Sequence, residues 1–511
     1  MNIVVTYTFL FLLIINGYGQ NGREQILQTH QKEVAKILNH YKKDANPKKW
    51  KAAKFLLDHI QIHKSKVCQW IDKEGTRHDV NELKLESFEA YTAKIKNFRK
   101  NGIQPKVTSL WDVQYLKADF LIENIDTAFA TWENSPWHGQ YSFQTFCEYV
   151  LPYRSTIEPI QKGWRTDSQI IHKAAQYNAS DPNDPIAICT EVVQQMSTLK
   201  FVYNSADPQP LLRLDQLYFR GQGSCPDLAN AAVLHCRALG LPTTFDFTPY
   251  HAASSNAHYW NTIINTSGRH IPFNGSQDAP YVYDATPKRL GKALRNTFSN
   301  QKKALPNIVP FEQIPDHKLQ LYNVIDVTHE YTKTINIPYV FENFKGNKVA
   351  YISVYNKGKW RPLWWGEIES NGNKVVYENM GTGIVYMPGQ YLLDAQQLQL
   401  EKYPLLISEQ GEIVVLKPNF KTRFDCPLTR AKEISGAPRD FNSLALKDHQ
   451  KYTLSVWNDG WQFLGKKTVQ HQSMSFNNLP KNALFKLEPQ HPDKFERIFT
   501  IDPTTCTLIW Y

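Results

Sequence analysis

From Gln20 to Asp181 the apolar positions recur at helical spacing. Ile26, Leu27, Val34, Ile37, Leu38 and Tyr41 mark one face, and a second stripe runs from Lys51 to His63. An aromatic-rich stretch follows, with Trp137, Tyr141, Phe143, Phe146, Tyr149 and Tyr153. Between Pro185 and Tyr203 a further helix is predicted, with Ile186, Cys189, Val192, Val193 and Met196 on one side. The pattern then predicts a loop, a helix opening near Cys225, and strands around Phe245, His258 and Ile271. Beyond Leu305, strand-like runs alternate with turn signals such as Asn356-Lys357-Gly358, Pro388-Gly389 and Gln410-Gly411. Asn371-Gly372 between Ile368 and Val375 is a hairpin signal, as is Asp459-Gly460 between Trp457 and Trp461.

These patterns predict an α+β chain in four parts. A mostly helical N-terminal region spans residues 20–180 and a mixed core 181–305; a β-sandwich spans 306–435 and a small β-module 436–511, with Gly436-Ala437-Pro438 as linker. Ahead of them, Ile3 to Ile15 is apolar but too short to cross a bilayer, and Gly17-Tyr18-Gly19 offers small residues for cleavage. Residues 1–19 are therefore expected to be a signal peptide, although no Lys or Arg precedes the apolar stretch. A secreted or periplasmic protein without a transmembrane anchor follows from that reading.

Composition narrows the classes further. At 42% hydrophobic and 21% charged residues the chain is globular. The net charge of +10 comes with no nucleic-acid motif, so Lys42, Lys43, Lys48, Lys49, Lys51 and Lys54 read as solvated helix faces and no nucleic-acid partner is expected. No phosphate loop, dinucleotide fingerprint or zinc spacing appears, so neither cofactor nor metal is expected. The seven cysteines are few and widely spread, not a disulfide scaffold, and an odd count leaves at least one thiol unpaired.

The chemistry concentrates in Gly223-Ser224-Cys225-Pro226-Asp227-Leu228-Ala229. A small-residue turn delivers a thiol to a helix start, with Pro226 in its first turn and Gly240 as its stop. The positive end of the helix dipole favours thiolate, the nucleophilic form. Asp227 reads as a first-turn helix acid that weakens this field, and Gln222 as a candidate oxyanion donor beside the Cys225 N–H. Thirty-three residues beyond Cys225, His258 opens a predicted strand with Trp260 on its face.

Three blocks together carry a resemblance: Gly-Ser-Cys225-Pro-Asp-Leu-Ala, Arg237-Ala-Leu-Gly-Leu-Pro242 and His258-Tyr-Trp-Asn261. Their order and spacing are similar to the transglutaminase-like superfamily, over about 120 of 511 residues. The resemblance implies a papain-like core, with Cys225 as nucleophile and His258 as base and then acid. The family's third member, an Asp about sixteen residues after the His, falls here at Asn274, a departure from the pattern. An Asn can still orient imidazole, as in the Cys-His-Asn arrangement of papain-like proteases. Asp284, in Tyr283-Asp284-Ala285-Thr286, is the alternative and needs a ten-residue insertion. Asn274-Gly275-Ser276 also reads as a plain turn and as a glycosylation sequon.

Two functions stay open. One is a secreted thiol enzyme that forms an acyl-enzyme on a protein or peptide amide, cell-envelope or glycan-linked substrates included, and resolves it with an amine or water. The other is a binding or scaffold protein with a vestigial site. Trp360, Trp364, Trp365, Trp457 and Trp461 read as sandwich-core residues, with a glycan platform as the alternative. The oligomeric state and the disulfide connectivity are open.

Overall fold

The computed structural model describes residues 20–167, 169–203, 208–252, 257–285, 289–369, 372–428, 446–471, 473–490 and 498–511. The expected signal peptide and the Gly436–Pro438 linker lie outside the described residues. Two compact units emerge: Met1–Asp246 with Tyr259–Tyr283 and Asn296–Gln301, and Phe247–His258 with Asp284–Arg295 and Lys302–Tyr511. No described helix is long and apolar enough to cross a membrane.

The first unit is built on helices whose ends obey local chemistry. Pro47–His59 opens with Asn46, whose side chain accepts from Lys48 N, and Pro185–Met196 opens with Asp184, accepting from Ile186 N. Gln20–Lys42, Ala118–Glu133 and Cys225–Ala238 join them around one apolar core, in which Ile37, Leu56, Phe129, Phe146, Val192 and Ala232 are buried. Lysines expected on solvated faces remain near water: Lys54 pairs with Asp58 one turn on, and Lys49 with Asp126.

Two elements differ from the sequence expectation. Within the helical N-terminal region, Lys64–Ile71 pairs antiparallel with Gln104–Trp111. The run Lys-Ser-Lys-Val-Cys-Gln-Trp-Ile is polar at its start and β-branched and aromatic at its end, which suits a strand over a helix turn, and Arg77–His78 pairs on its other side. The helix begun at Pro185 also ends at Met196, short of Tyr203; Lys200–Phe201 instead forms a parallel ladder with Gln222–Gly223.

Buried arginines stitch the first unit together. Arg154 meets Asp112 bidentately, Nε at 2.8 Å and Nη2 at 2.7 Å, while Tyr153 donates to the same carboxylate. Arg165 donates to the carbonyls of Val150, Leu151 and Arg237. Each guanidinium thus meets backbone oxygens or a carboxylate, the condition for burying charge.

The second unit is dominated by antiparallel sheet. Val349–Asn356 pairs with Lys359–Glu367 and with Ile384–Leu392, and Thr334–Val340 pairs with Lys374–Gly381. The Ile368–Val375 bridge closes the hairpin expected there. Lys451–Trp457 and Trp461–Thr468 form the second expected hairpin, with Trp457 opposite Trp461 and both Asp459 and Gly460 at positive φ. Asn419–Leu428 pairs with Met474–Lys481. The tryptophans pack: Trp360 and Trp461 each meet Tyr355 edge to face, Trp457 meets Trp360 and Trp461 in the same way, and Trp457 Nε1 donates to Lys402 O.

Candidate active site

Cys225 is the first residue of the helix Cys225–Ala238, half-buried, with Ser224 as N-cap and Pro226 in the first turn. The approach is shaped by Gly221 at φ +60, which ends the helix Leu214–Arg220, and by Gly223. A Cβ on Gly223 would stand 2.6 Å from Leu217 Cδ1 and 2.9 Å from Asp227 Cβ, so only glycine fits two residues before the thiol. Asp227 closes the turn. Its carboxylate accepts from Ser224 N at 2.9 Å, from Ser224 Oγ at 2.5 Å and from Leu212 N at 2.9 Å. Burial pushes the Asp227 carboxyl above its ordinary range, against the pull of these donors and of Arg220. The helix-acid reading of Asp227 therefore has a concrete form: it fixes the N-terminal turn and ties it to the Leu212 segment.

The second motif block is the end of the same helix. Gly240, at φ +76, and Leu241 send their N–H groups back to Arg237 O and Cys236 O, at 3.1 and 2.9 Å, a Schellman ending. Arg237 satisfies carbonyls of other segments: Nε donates to Tyr149 O and Thr243 O, and Nη1 to Arg154 O at 2.7 Å. Burial lowers the Arg237 pKa to about 10. The Arg-Ala-Leu-Gly-Leu-Pro run is thus a helix stop with an anchoring guanidinium. Behind it, His235 receives or donates a 2.7 Å bond with Tyr218 Oη and stands 3.4 Å from His172.

Strands Thr243–Thr248, His258–Ile264 and His270–Phe273 lie side by side in that order. His258 is the first residue of its strand and half-buried; its ring stacks on that of His251 with centroids 5.8 Å apart. Sequence reading missed His251, which is buried, with its carbonyl held by Asn356. Trp260 is fully buried, its ring 6.4 Å from that of Tyr283.

Asn261, also missed as a site residue, is the link between two of the motif blocks. Its Nδ2 donates to Ala229 O of the Cys225 helix at 2.8 Å, and its Oδ1 accepts from Gly275 N at 3.1 Å. A Cβ on Gly275 would stand 3.2 Å from the Leu228 carbonyl carbon, so the Asn274-Gly275 turn lies against the first turns of that helix. Asn274 follows the strand His270–Phe273, and its amide donates to Gln277 Oε1 at 2.9 Å and Asp278 Oδ2 at 3.3 Å. Cys225 and Asn274 belong to the first unit; His258 and Asp284, an exposed residue, belong to the second.

A cavity of about 300 Å³ opens at the start of the Cys225 helix. Phe88, Tyr203, Pro210 and Gln222 line it together with Ser224 and Asp227. Arg220 forms part of its wall and is held by Glu82, Nε to Oε2 at 2.6 Å and Nη2 to Oε1 at 2.9 Å, with both side chains buried. The pair leaves the wall rigid and nearly neutral, beside the rings of Phe88 and Tyr91.

Residues 173–275 match the family model of the transglutaminase-like superfamily. Two solved structures are similar to the chain. One is a candidate cysteine protease from Cytophaga hutchinsonii, 13% identical with a TM-score of 0.20, over 42% of this chain and 60% of that one. The other is red sea bream transglutaminase, 9% identical with a TM-score of 0.19, over 92% of this chain and 79% of that one. Curated proteins yield no match to the chain.

Proposed function

From a transglutaminase-like domain at residues 173–275, we propose that the chain is a secreted thiol enzyme acting on amide groups of proteins or peptides. The observation that carries this reading is Cys225 at the N-terminus of a buried helix, one residue beyond the rim of the 300 Å³ cavity. In this reading the helix dipole favours the thiolate, which attacks a carboxamide or peptide carbonyl. His258 takes the thiol proton and returns it to the leaving amine. Asn274, or Asp284 in its place, orients the imidazole. The Cys225 N–H and the Gln222 amide are the proposed donors to the oxyanion. The cavity would hold the acyl donor, with Phe88, Tyr203 and Pro210 against the carbon chain. An amine or water then resolves the acyl-enzyme.

One observation favours the scaffold reading: the Asn274 amide is committed to its own turn through Gln277 and Asp278. The two readings separate in one experiment. Amine incorporation and hydrolysis are followed on glutamine-containing and peptidoglycan-like peptides, with wild type beside Cys225→Ala. Turnover in wild type and its loss in the variant is the expected result. Equal turnover in both would refute the mechanism, and no turnover in either, with a thiol inert to iodoacetamide, would favour the scaffold.

A further inference from the structure

Four of the seven cysteines sit in two close pairs. Cys189, on the helix Pro185–Met196, and Cys236, on the Cys225 helix, place their sulfurs 3.8 Å apart, both fully buried. Cys426, on the strand Asn419–Leu428, faces Cys506, in the turn before the strand Leu508–Trp510. There the Cys506 sulfur lies 3.7 Å from Asp425 O and the Cys426 sulfur 3.9 Å from Cys506 O. Cys506 adopts φ +54, a conformation rare for a residue with a side chain, which bends its turn toward the strand. Each pair lies inside one compact unit. A disulfide needs its sulfurs near 2 Å, a closing motion of roughly 2 Å from the 3.8 Å seen for the first pair.

We propose that Cys189–Cys236 and Cys426–Cys506 close as disulfides in the mature protein, while Cys68, Cys147 and Cys225 remain thiols. The oxidant is a small disulfide donor such as oxidised glutathione. One cysteine attacks it and releases one glutathione thiol; its partner then displaces the second. One S–S bond forms in the protein, and two protons and two electrons leave on two glutathione molecules. Burial pushes the Cys426 thiol to about 12 and the Cys189 thiol well above its ordinary range, so exchange occurs while the chain folds and the closed bonds are shielded afterwards. The first bond would join two core helices across 47 residues, and the second would fasten the last turn of the chain to a strand some 80 residues earlier. Neither bond requires Cys225 to be catalytic.

The test uses the full chain, exported into an oxidising periplasm and also made in a reducing cytosol. Each preparation is denatured in iodoacetamide before and after reduction, and peptides are mapped. Of the seven cysteines, the four in pairs should be protected in the exported chain, leaving three labelled before reduction and seven after. Linked peptides should join 189 to 236 and 426 to 506, and the cytosolic chain should carry seven labels throughout. More than three labels in the exported chain before reduction, or a linked peptide joining any other residues, overturns the proposal.

Discussion

Asn261 holds the Cys225 helix to the Asn274 turn, and Asn261→Ala removes both of its hydrogen bonds. The Ala229 carbonyl keeps its place in the helix ladder, so losing the 2.8 Å bond to it costs about 1 kcal/mol net. The Gly275 N–H has no such reserve. Its bond to Asn261 is 3.1 Å long and both residues are buried, so the orphaned donor costs about 1–3 kcal/mol. The void left by the missing carboxamide adds about 1 kcal/mol. The sum, about 3–5 kcal/mol, corresponds to a fall of roughly 10²–10³ or more in protection against amide exchange. Hydrogen–deuterium exchange on peptides covering 225–238 and 270–278 reads it directly, with urea unfolding as the global measure. Asn261→Asp should not rescue: one carboxylate oxygen can accept from Gly275, but the other faces the Ala229 carbonyl with no hydrogen to give. The reasoning is refuted if Asn261→Ala costs less than about 1 kcal/mol, or if the Asp variant matches wild type.

Three further outcomes follow from the same geometry. His235 is buried neutral, its pKa lowered to about 3 by desolvation and by His172. In the unfolded chain it binds a proton near pH 6.5, so its contribution to stability is lost as pH falls below that value, by about 2 kcal/mol at pH 5. His235→Gln should therefore lose about 2 kcal/mol less than wild type between pH 7.5 and 5 in urea unfolding, and equal losses would sink the assignment. Gly223→Ala must push Leu217 or Asp227 aside, at a cost of about 1–3 kcal/mol, and should slow Cys225 labelling and any turnover at least tenfold; unchanged labelling kinetics would show that the turn tolerates a methyl group. Cys225→Ala, by contrast, should abolish amide turnover and leave the urea midpoint within about 0.5 kcal/mol of wild type, since the thiol is only half-buried; a large loss of stability would mean that the residue is structural.

What could be read along the chain was whatever neighbours in sequence decide. The Cys225 helix announces its own start and stop, because Pro226 presets a backbone angle and Gly240 accepts a left-handed one. The strand at His258 and the hairpin at Trp457–Trp461 follow from alternation and turn residues. The roles of Gly223 and Asp227 were only half legible: their motif was visible, but not the Leu217 methyl that excludes a Cβ or the Leu212 N–H that the carboxylate collects. The sheet of Lys64–Ile71 with Gln104–Trp111 was masked by helical periodicity on both sides, and the ladder at Gln222–Gly223 is too short to leave a period at all. Asn261 looked like one polar residue in a strand, and Cys189 and Cys236 like two ordinary apolar positions on separate helices. Their meaning lies in partners 14 to 47 residues away, and such contacts are chosen by how helices and strands pack, not by any local preference of the residues that make them.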